Sequence, residues 1–373
     1  MDAERRPTVL MTADTVGGVW TYAVDLARAL ARRGVDVHLA TMGAPMRPHQ
    51  RMQVAGCEGV TVHASEWRLE WMDDPWDDVV LAGAWLLGLE RQVEPDLLHL
   101  NQFTFGSLPF LAPRVVVAHS CVYSWWQAVH GELPPASWGL YRARVAAGLS
   151  GADLVAAPTQ AMLDTLAPNY SLSLRRARVL PNGRSPALFR PGGKRPVVLA
   201  AGRFWDDAKN LAALDAVAPG LPWPVRLAGS CTRPDGRVIE PRAVTPLGEL
   251  ATHELAREFA AASVLAHPAR YEPFGLSVLE AALSGCALVL GDIPSLREVW
   301  GDAATYVPPD DHAALRATLQ RLVRDDGARG RLALAALERA QDFTTEAMAD
   351  ACLQTYADLS PVFAPLVEEA QCA

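Results

Sequence analysis

A length of 373 residues is enough for about two domains, each with its own hydrophobic core. Half of the residues are hydrophobic and 20% are charged, a balance that excludes a disordered chain and fits a globular α/β protein. The formal net charge of −8 argues against nucleic acid as a partner. Six cysteines without a C-x-x-C pair indicate reduced thiols, as in a cytoplasmic protein.

Targeting and membrane signals are weak in this sequence. The N-terminal segment runs directly into a short apolar strand and has no apolar region of the secretory kind. No apolar run approaches the roughly 20 residues that span a bilayer. We therefore expect a cytoplasmic protein, with peripheral membrane contact as an open alternative.

The chain opens with a βαβ pattern. Residues 8–13 predict a buried strand, 20–33 a helix and 35–40 a second strand. Gly17 and Gly18 follow the first strand, at the edge where open α/β sheets bind ligands, and glycine there lets the backbone approach a diphosphate closely. A tight turn without a ligand is the alternative. The turn lacks G-x-G-x-x-G, so a dinucleotide cofactor is not implied.

Residues 44–80 are irregular in composition and are interpreted as a long insertion, a feature that is often functional. Trp67, Trp71 and Trp76 are candidates to stack on a sugar or an apolar acceptor, although packing against their own loop is the alternative. The acidic cluster at 73–78 is interpreted as a solvated turn. The chain contains no Asp-x-Asp metal motif.

His119 is the histidine that the sequence favours for function. It follows a predicted strand and so falls on the same sheet edge as the glycine turn, whereas a structural or incidental histidine is the alternative. His130 lacks such a placement and is interpreted as a loop residue. The remaining strands of the first half are predicted at 97–101, 114–118, 154–157 and 177–180.

A linker rich in proline and glycine is predicted at 184–196, after which the strand and helix rhythm restarts. Arg203 follows a strand at 196–201, and Lys209 opens the next helix. A guanidinium offers a planar fork and an ammonium a compact charge, which suits phosphate oxygens. Two surface bases at a strand–helix junction are the alternative. Further elements are predicted at 225–228, 305–307, 311–324, 328–341 and 345–358.

Residues 267–301 are the most informative stretch, because they read as strand end, loop, helix and strand. Glu272 precedes Gly275, which opens a helix to about Ser284, and the N-terminus of a helix favours anions. Glu280 lies on a narrow polar strip of this otherwise apolar helix. It therefore either lines a binding cleft or occupies a thin solvent-exposed stripe, and helical periodicity does not decide between them.

The run from Glu272 to Glu280, EPFGLSVLE, followed by Glu298-Val299 and by Gly-Asp-Ala-Ala at 301–304, resembles the E-x7-E signature of retaining glycosyltransferases of family 4. The resemblance implies the GT-B fold, an α/β architecture of two Rossmann-like domains facing across a cleft. We place an acceptor-side domain at 1–185 and a nucleotide-sugar donor domain at 186–344. The segment 345–373 is expected to pack back on the first domain.

The resemblance also implies a reaction, namely transfer of a sugar from a nucleoside-diphosphate sugar to an acceptor hydroxyl with retained anomeric configuration, as in a hexosyltransferase. No metal or other cofactor is expected. Arg203 and Lys209 would bind the diphosphate, Glu272 the sugar hydroxyls and Glu280 the ribose, while His119 would border the donor sugar. Backbone groups complete the donor site at these positions: Gly17, Gly18, Phe274, Gly275 and Leu276.

Several alternatives stay open at this point. A nucleotide-sugar epimerase or a catalytically silent carbohydrate-binding relative would share the architecture. The acceptor is a small molecule, a glycan or a lipid-linked glycan. Retention proceeds through a covalent intermediate or, as we favour, through attack on the face that the leaving group departs from. One departure stands out, because residues 182–185 read Asn-Gly-Arg-Ser where the family often has Asn-Gly-Val-Asp.

Overall fold

The computed structural model describes residues 5–233 and 236–372, apart from the side chains of 369–372. The first four residues and Ala373, which the predicted domains include, lie outside the described residues. Contacts within the chain group it into two compact units. The first comprises the chain up to Ser124, Leu133–Gly183 and the chain from Thr345 onward, and the second comprises Trp125–Glu132 and Arg184–Thr344.

Strands and helices alternate along the chain up to Gly183. The strands are β1 (Thr8–Asp14), β2 (Asp36–Met42), β3 (Val60–Ala64), β4 (Leu97–Leu100), β5 (Arg114–Val117), β6 (Leu154–Ala157) and β7 (Ala177–Val179). The helices are α1 (Gly18–Arg32), α2 (Pro48–Val54), α3 (Trp76–Val93), α4 (Val122–His130), α5 (Gly139–Gly151) and α6 (Gln160–Tyr170). Over the described residues these strands form one parallel sheet in the order β3-β2-β1-β4-β5-β6-β7.

The position of β1 in the middle of this sheet follows from its sequence. All seven of its residues are buried, as expected for a strand with helices on both faces of a parallel sheet. It pairs in register with β2 on one side, Val9 opposite Val37, and with β4 on the other, Val9 opposite Leu97. The strand order reverses between β1 and β4, which makes their carboxyl ends a topological switch point.

The interpretation of residues 44–80 as an irregular insertion is wrong. They contain helix α2, strand β3 and the start of α3. These elements escaped the sequence pattern because α2 has only seven residues and β3, at the edge of the sheet, is half-buried at best. Nor are the acidic residues 73–78 simply a turn, since Asp77 and Asp78 lie in the first turn of α3, where the helix dipole favours carboxylates. His130, interpreted as a loop residue, ends helix α4.

The second unit repeats the same arrangement. Its strands are β8 (Arg195–Ala201), β9 (Val225–Ala228), β10 (Thr245–Gly248), β11 (Ala262–His267), β12 (Ala287–Gly291) and β13 (Thr305–Val307). Its helices are α7 (Leu211–Val217), α8 (Thr252–Ala261), α9 (Leu276–Leu283), α10 (Pro294–Trp300), α11 (His312–Arg324) and α12 (Asp326–Ala340). Within the described ranges the sheet is parallel in the order β10-β9-β8-β11-β12-β13, so its switch point lies between β8 and β11.

The chain ends with helices α13 (Thr345–Ala357) and α14 (Ala364–Cys372), which belong to the first unit. Helix α13 contributes Met348, Leu353 and Tyr356 to the hydrophobic core that α1 and the first sheet build. The Tyr356 hydroxyl lies 2.7 Å from Nδ1 of His99, and the Tyr22 hydroxyl lies 3.2 Å from its Nε2. A buried polar network therefore ties α1, β4 and α13 together. Among the helices of the described residues, none is long and apolar enough to cross a membrane.

Histidines that are neutral in the fold make stability depend on pH. Burial lowers the pKa of His99 to about 3, and burial also lowers the pKa of His38 and His63, whose rings stack 5.2 Å apart. Because unfolded histidine titrates near 6.5, the unfolded chain binds more protons than the fold below that pH. The stability that these neutral histidines contribute is therefore fully present above about pH 7 and is lost progressively as the pH falls below about 6.5.

We expect the free energy of unfolding to fall by at least about 1 kcal/mol between pH 7.5 and pH 5.5, since a fully buried histidine such as His99 contributes up to about 1.4 kcal/mol per pH unit and the half-buried His38 and His63, which solvent screens, contribute less. Urea unfolding at the two pH values measures this loss. The double variant His38→Gln/His63→Gln should show a smaller loss, because of these three histidines only the fully buried His99 then remains. Equal stability at both pH values would contradict the prediction.

Candidate functional site

The predicted site residues fall into two groups, one in each unit. In the second unit, the switch point between β8 and β11 is lined by the residues that follow these strands. Arg203 comes two residues after the end of β8, and His267 is the last residue of β11. Ligands of open α/β sheets bind outside the carboxyl ends of the strands at such a point. The fold therefore places this group where its topology favours a ligand.

Lys209 and Glu272 form the centre of this group. The Nζ atom of Lys209 lies 2.6 Å from Oε2 of Glu272, and both side chains are 13% exposed. Nε2 of His267 lies 3.1 Å from the same oxygen, and the Ser295 hydroxyl donates to the Glu272 carbonyl at 2.6 Å. Burial alone would raise the pKa of Glu272, but Lys209 and His267 together hold this pKa well below its ordinary value. Glu272 thus has an ionised carboxylate that is held at Oε2, and its backbone carbonyl is held by Ser295.

Sequence reasoning assigned no role to His267 or Ser295. Both lie within the informative stretch 267–301, and this position was the signal that could have drawn attention to them. Their contacts with Glu272 depend on how the loop after β11 folds back, which no periodicity reports.

Arg203 is the more accessible of the two predicted bases. Its side chain is 40% exposed, and its guanidinium lies 3.9 Å from Asp206 and 5.3 Å from the centre of the Trp205 ring. Asp206 in turn accepts a hydrogen bond from Ala208 N and stabilises the short turn that leads to Lys209. Arg203 therefore lies beside the turn that leads to Lys209, and its guanidinium is partly accessible to a ligand.

Helix α9 begins at Leu276, one residue after Gly275. Gly275 has φ +92, a left-handed conformation, and a Cβ at this position would lie 3.0 Å from Val278, so glycine is strongly favoured. The Phe274 ring is buried and lies 5.5 Å from the Phe343 ring centre, while Leu276 is half-buried against the same core. Any ligand contact at these three residues is consequently made by the backbone N–H groups of the helix N-terminus.

Glu280 lies on the same helix, and its surroundings exclude one of the two alternatives that the sequence left open. It is only 6% exposed, so the solvent-exposed stripe is wrong. Its Oε1 lies 2.8 Å from Nε of Arg184, and both side chains are buried. Arg184 was not predicted as a site residue. The signal that could have found it is the departure from Asn-Gly-Val-Asp at this position.

In the first unit, the glycine turn follows β1 directly. Gly17 adopts φ +90 as the residue before helix α1, and Asp14 accepts a hydrogen bond from Val16 N at 2.6 Å. Gly18 is the first residue of α1. The turn therefore brings the N-terminus of a 15-residue helix to the carboxyl edge of the sheet, beside the switch point between β1 and β4.

His119 lies two residues after β5 and contacts this helix. Its ring centre is 4.4 Å from that of Tyr22 on α1, in an edge-on arrangement. Its Nε2 lies 2.8 Å from Oδ1 of Asn101, which immediately follows β4. Burial first, and the neighbouring His99 second, lower the pKa of His119 to about 3, so the ring is neutral at pH 7. The structure thus brings His119 and the glycine turn to one edge of the first sheet.

Asn101 fixes the hydrogen-bonding state of His119, a role that sequence reasoning missed. Its Nδ2 donates to the Thr12 carbonyl at 2.6 Å, so Oδ1 is the atom that faces His119. A neutral histidine then carries its proton on Nε2 and donates it to Asn101. Asn101 N also donates to the Thr12 hydroxyl at 2.8 Å, which anchors the residue to the central strand β1.

We expect Asn101→Ala to lower kcat/KM about 10-fold, the factor that corresponds to one lost hydrogen bond of about 1.4 kcal/mol. Nitrogen NMR shifts of His119 should show the Nε2–H tautomer in the parent protein and a tautomer mixture in the variant. In a His119→Ala background the Asn101 substitution should have little further effect on kcat/KM. Fully additive losses would contradict a role exerted through His119.

No group of three or more His, Cys, Asp or Glu side chains within residues 5–233 and 236–372 is arranged to hold a metal ion.

Comparisons with known proteins agree with this geometry. The model described as Glycosyltransferase Family 4 matches residues 16–188, and that described as Glycosyl transferases group 1 matches residues 195–325. The chain is 27% identical to D-inositol 3-phosphate glycosyltransferase of Stackebrandtia nassauensis over 393 aligned positions, which cover 92% of this chain and 87% of that protein.

Two solved structures share the fold. Sucrose-phosphate synthase of Thermosynechococcus elongatus superposes with a TM-score of 0.79 at 23% identity and covers 95% of this chain and 99% of its own. HepE of Anabaena, solved in complex with UDP-glucose, superposes with a TM-score of 0.74 at 18% identity, and the match covers 94% of this chain and 100% of the HepE chain.

The prediction of two Rossmann-like parallel-sheet domains of the GT-B type is confirmed by these structures. The prediction of a glycosyltransferase is confirmed by the family models and the named relative, and the epimerase alternative finds no support among them. This chain belongs to glycosyltransferase family 4 and is an enzyme that transfers a sugar from a nucleotide sugar.

Proposed function

We propose that this glycosyltransferase transfers its sugar with retained anomeric configuration and without a metal ion, using the residues described above. The observation that carries the proposal is the cluster of Lys209, Glu272 and His267 beside Arg203 at the switch point of the second sheet. It combines two cationic side chains with an ionised carboxylate at a ligand-binding edge. A sugar diphosphate, which has both anionic oxygens and hydroxyl donors, complements such a cluster.

The diphosphate leaving group gains negative charge as its bond to the sugar breaks. Arg203 and Lys209 stabilise this charge, together with the backbone N–H groups at the N-terminus of α9 in the same unit. Lys209 is already held by Glu272 at 2.6 Å, so little reorganisation is needed when the charge develops. Arg203, with 40% exposure, is free to turn its planar fork toward two phosphate oxygens.

Glu272 accepts hydrogen bonds from hydroxyls of the donor sugar in this proposal. Two positively polarised partners share one of its oxygens, Oε2, and lower its basicity. A carboxylate of lowered basicity is a poor nucleophile, and because it is ionised it can accept hydroxyl hydrogens but donate none. This favours attack by the acceptor on the face that the diphosphate leaves, with the leaving group taking the acceptor's proton, over a covalent intermediate on Glu272.

The proposal is tested with purified protein and a panel of UDP-, GDP- and ADP-sugars, starting from UDP-glucose, which HepE binds. Inositol 3-phosphate, the acceptor in the name of the S. nassauensis relative, is the first acceptor to try. Proton NMR of the product reports the anomeric configuration. An α-linked product from an α-linked donor, formed equally well in the presence of EDTA, supports the proposal. An inverted product, or full loss of turnover with EDTA, would refute it.

The acceptor is a small molecule, a glycan or a lipid-linked glycan. We place its binding surface in the first unit, where Trp67, Trp71 and Trp76 are all half-buried. The scattered cysteines, among which Cys121, Cys286 and Cys352 are buried as free thiols, favour action in the cytoplasm.

A further inference from the structure

The ion pair between Arg184 and Glu280 is unusual because both charges are removed from water. Nε of Arg184 lies 2.8 Å from Oε1 of Glu280, and the side chains are 5% and 8% exposed. The guanidinium also stacks over the Phe189 ring, with its carbon 4.9 Å from the ring centre. Such burial costs free energy for each charge, which the mutual attraction only partly offsets.

Stability alone gives little reason for this pair. Replacing a buried ion pair by apolar residues of similar size is often neutral or stabilising. We therefore look for the role of Arg184 in its effect on its partner, Glu280.

The backbone of Arg184 is as firmly held as its side chain. Arg184 N donates to the Phe343 carbonyl at 3.0 Å, and Arg184 forms an isolated parallel bridge with Thr344. These two residues end the second unit, and Arg184 begins its main segment. Because backbone, ring stacking and ion pair all fix the guanidinium, it can hold the Glu280 carboxylate in one orientation.

We propose that Arg184 is a positioning residue of the nucleotide site: it orients the buried Glu280 carboxylate so that the ribose hydroxyls of the donor can donate hydrogen bonds to it. This rests on the proposed function, transfer from a nucleotide sugar, and on the ribose contact that the E-x7-E resemblance implies for Glu280. Arg184 need not touch the nucleotide. Its effect is transmitted through Glu280, so it should appear in the discrimination between nucleotides with and without ribose hydroxyls.

The test measures the dissociation constants of UDP, GDP and ADP, and of their 2′-deoxy and 3′-deoxy forms, by calorimetry. In the parent protein we expect the preferred diphosphate to bind about 10- to 100-fold more tightly than a deoxy form, as for a hydrogen bond to a charged group. In Arg184→Met this ratio should fall to about 1–3. In Glu280→Gln it should fall likewise, and adding Arg184→Met should lower it no further.

Arg190, an exposed arginine in the same segment, provides the matched control. Arg190→Met should leave both the affinity and the ratio unchanged. Arg184→Lys, which restores a cation without the planar fork, should recover part of the ratio. If Arg184→Met does not fold, Arg184→Gln, which keeps hydrogen-bond donors and removes the charge, carries the same expectation.

The outcomes separate the inference from the function on which it rests. A parent protein that binds none of the three diphosphates refutes the proposed donor site, and with it this inference. A parent protein that binds one of them, with a full deoxy ratio retained in the folded Arg184 variants, overturns only the positioning role. The absence of any deoxy ratio in the parent protein also overturns it, because Glu280 would then not bind the ribose.

Discussion

Replacing Arg203 by alanine is expected to lower kcat by about 10² to 10³, because a preorganised cation that stabilises the leaving diphosphate contributes about 2.7–4 kcal/mol to the transition state. Stability should hardly change. The side chain is 40% exposed, its distance to Asp206 is 3.9 Å, and exposed ion pairs of this kind contribute about 0–1 kcal/mol. Steady-state kinetics with a saturating nucleotide sugar, together with thermal unfolding, measure the two effects.

Arg321, an exposed arginine on helix α11, is the control for this substitution. Arg321→Ala removes an equal charge from the same unit, away from the carboxyl edge of the sheet, and should leave kcat unchanged. Near-normal turnover in Arg203→Ala would refute the assignment of Arg203 to the diphosphate. A large fall in the unfolding temperature would instead show that its role is structural.

Lys209→Ala is expected to lower kcat by a similar factor and also to destabilise the protein. The substitution leaves the 13%-exposed Glu272 carboxylate with His267 as its remaining side-chain partner. Breaking a fully buried pair costs about 3–5 kcal/mol, and with the remaining partner and partial exposure we expect about 1–3 kcal/mol here. Urea unfolding and single-turnover kinetics measure the stability and the chemical step.

The double variant Lys209→Ala/Glu272→Gln separates these two losses. A neutral amide at 272 no longer needs a cationic partner, so stability should return toward that of the parent protein while turnover stays low. Recovery of turnover along with stability would mean that Lys209 serves only to hold the fold. A Lys209→Ala protein as stable as the parent would contradict the importance of the ion pair.

Much of the second unit was predictable because its signals are local. The apolar run before His267, the glycine at 275 and the stop at Gly285 set the bounds of β11 and α9 almost as the structure has them. Their positions depend on buried-strand composition and on left-handed glycines, which neighbouring residues reveal. The edge elements α2 and β3 were missed for the opposite reason, since short, half-buried segments carry little periodicity.

The roles within the site were less predictable. The helical wheel left Glu280 between a cleft and a solvent stripe, and the structure buries it against an arginine from the segment interpreted as a linker. Asn101 was predicted only as the end of a strand, yet its amide orientation sets the tautomer of His119. Both interactions join residues whose proximity depends on strand order and helix packing.

By itself, the sequence determined the alternation of strands and helices, the family through its E-x7-E signature, and the residue types that a sugar diphosphate requires. These three features depend on the spacing of residues along the chain, which can be read before the chain is folded. Only the tertiary structure decided which side chains share a charge: Lys209 and His267 with Glu272, and Arg184 with Glu280. The physical reason is that a buried charge is stabilised by whatever opposite charge the packed chain brings within a few ångströms, and local sequence does not encode that distance.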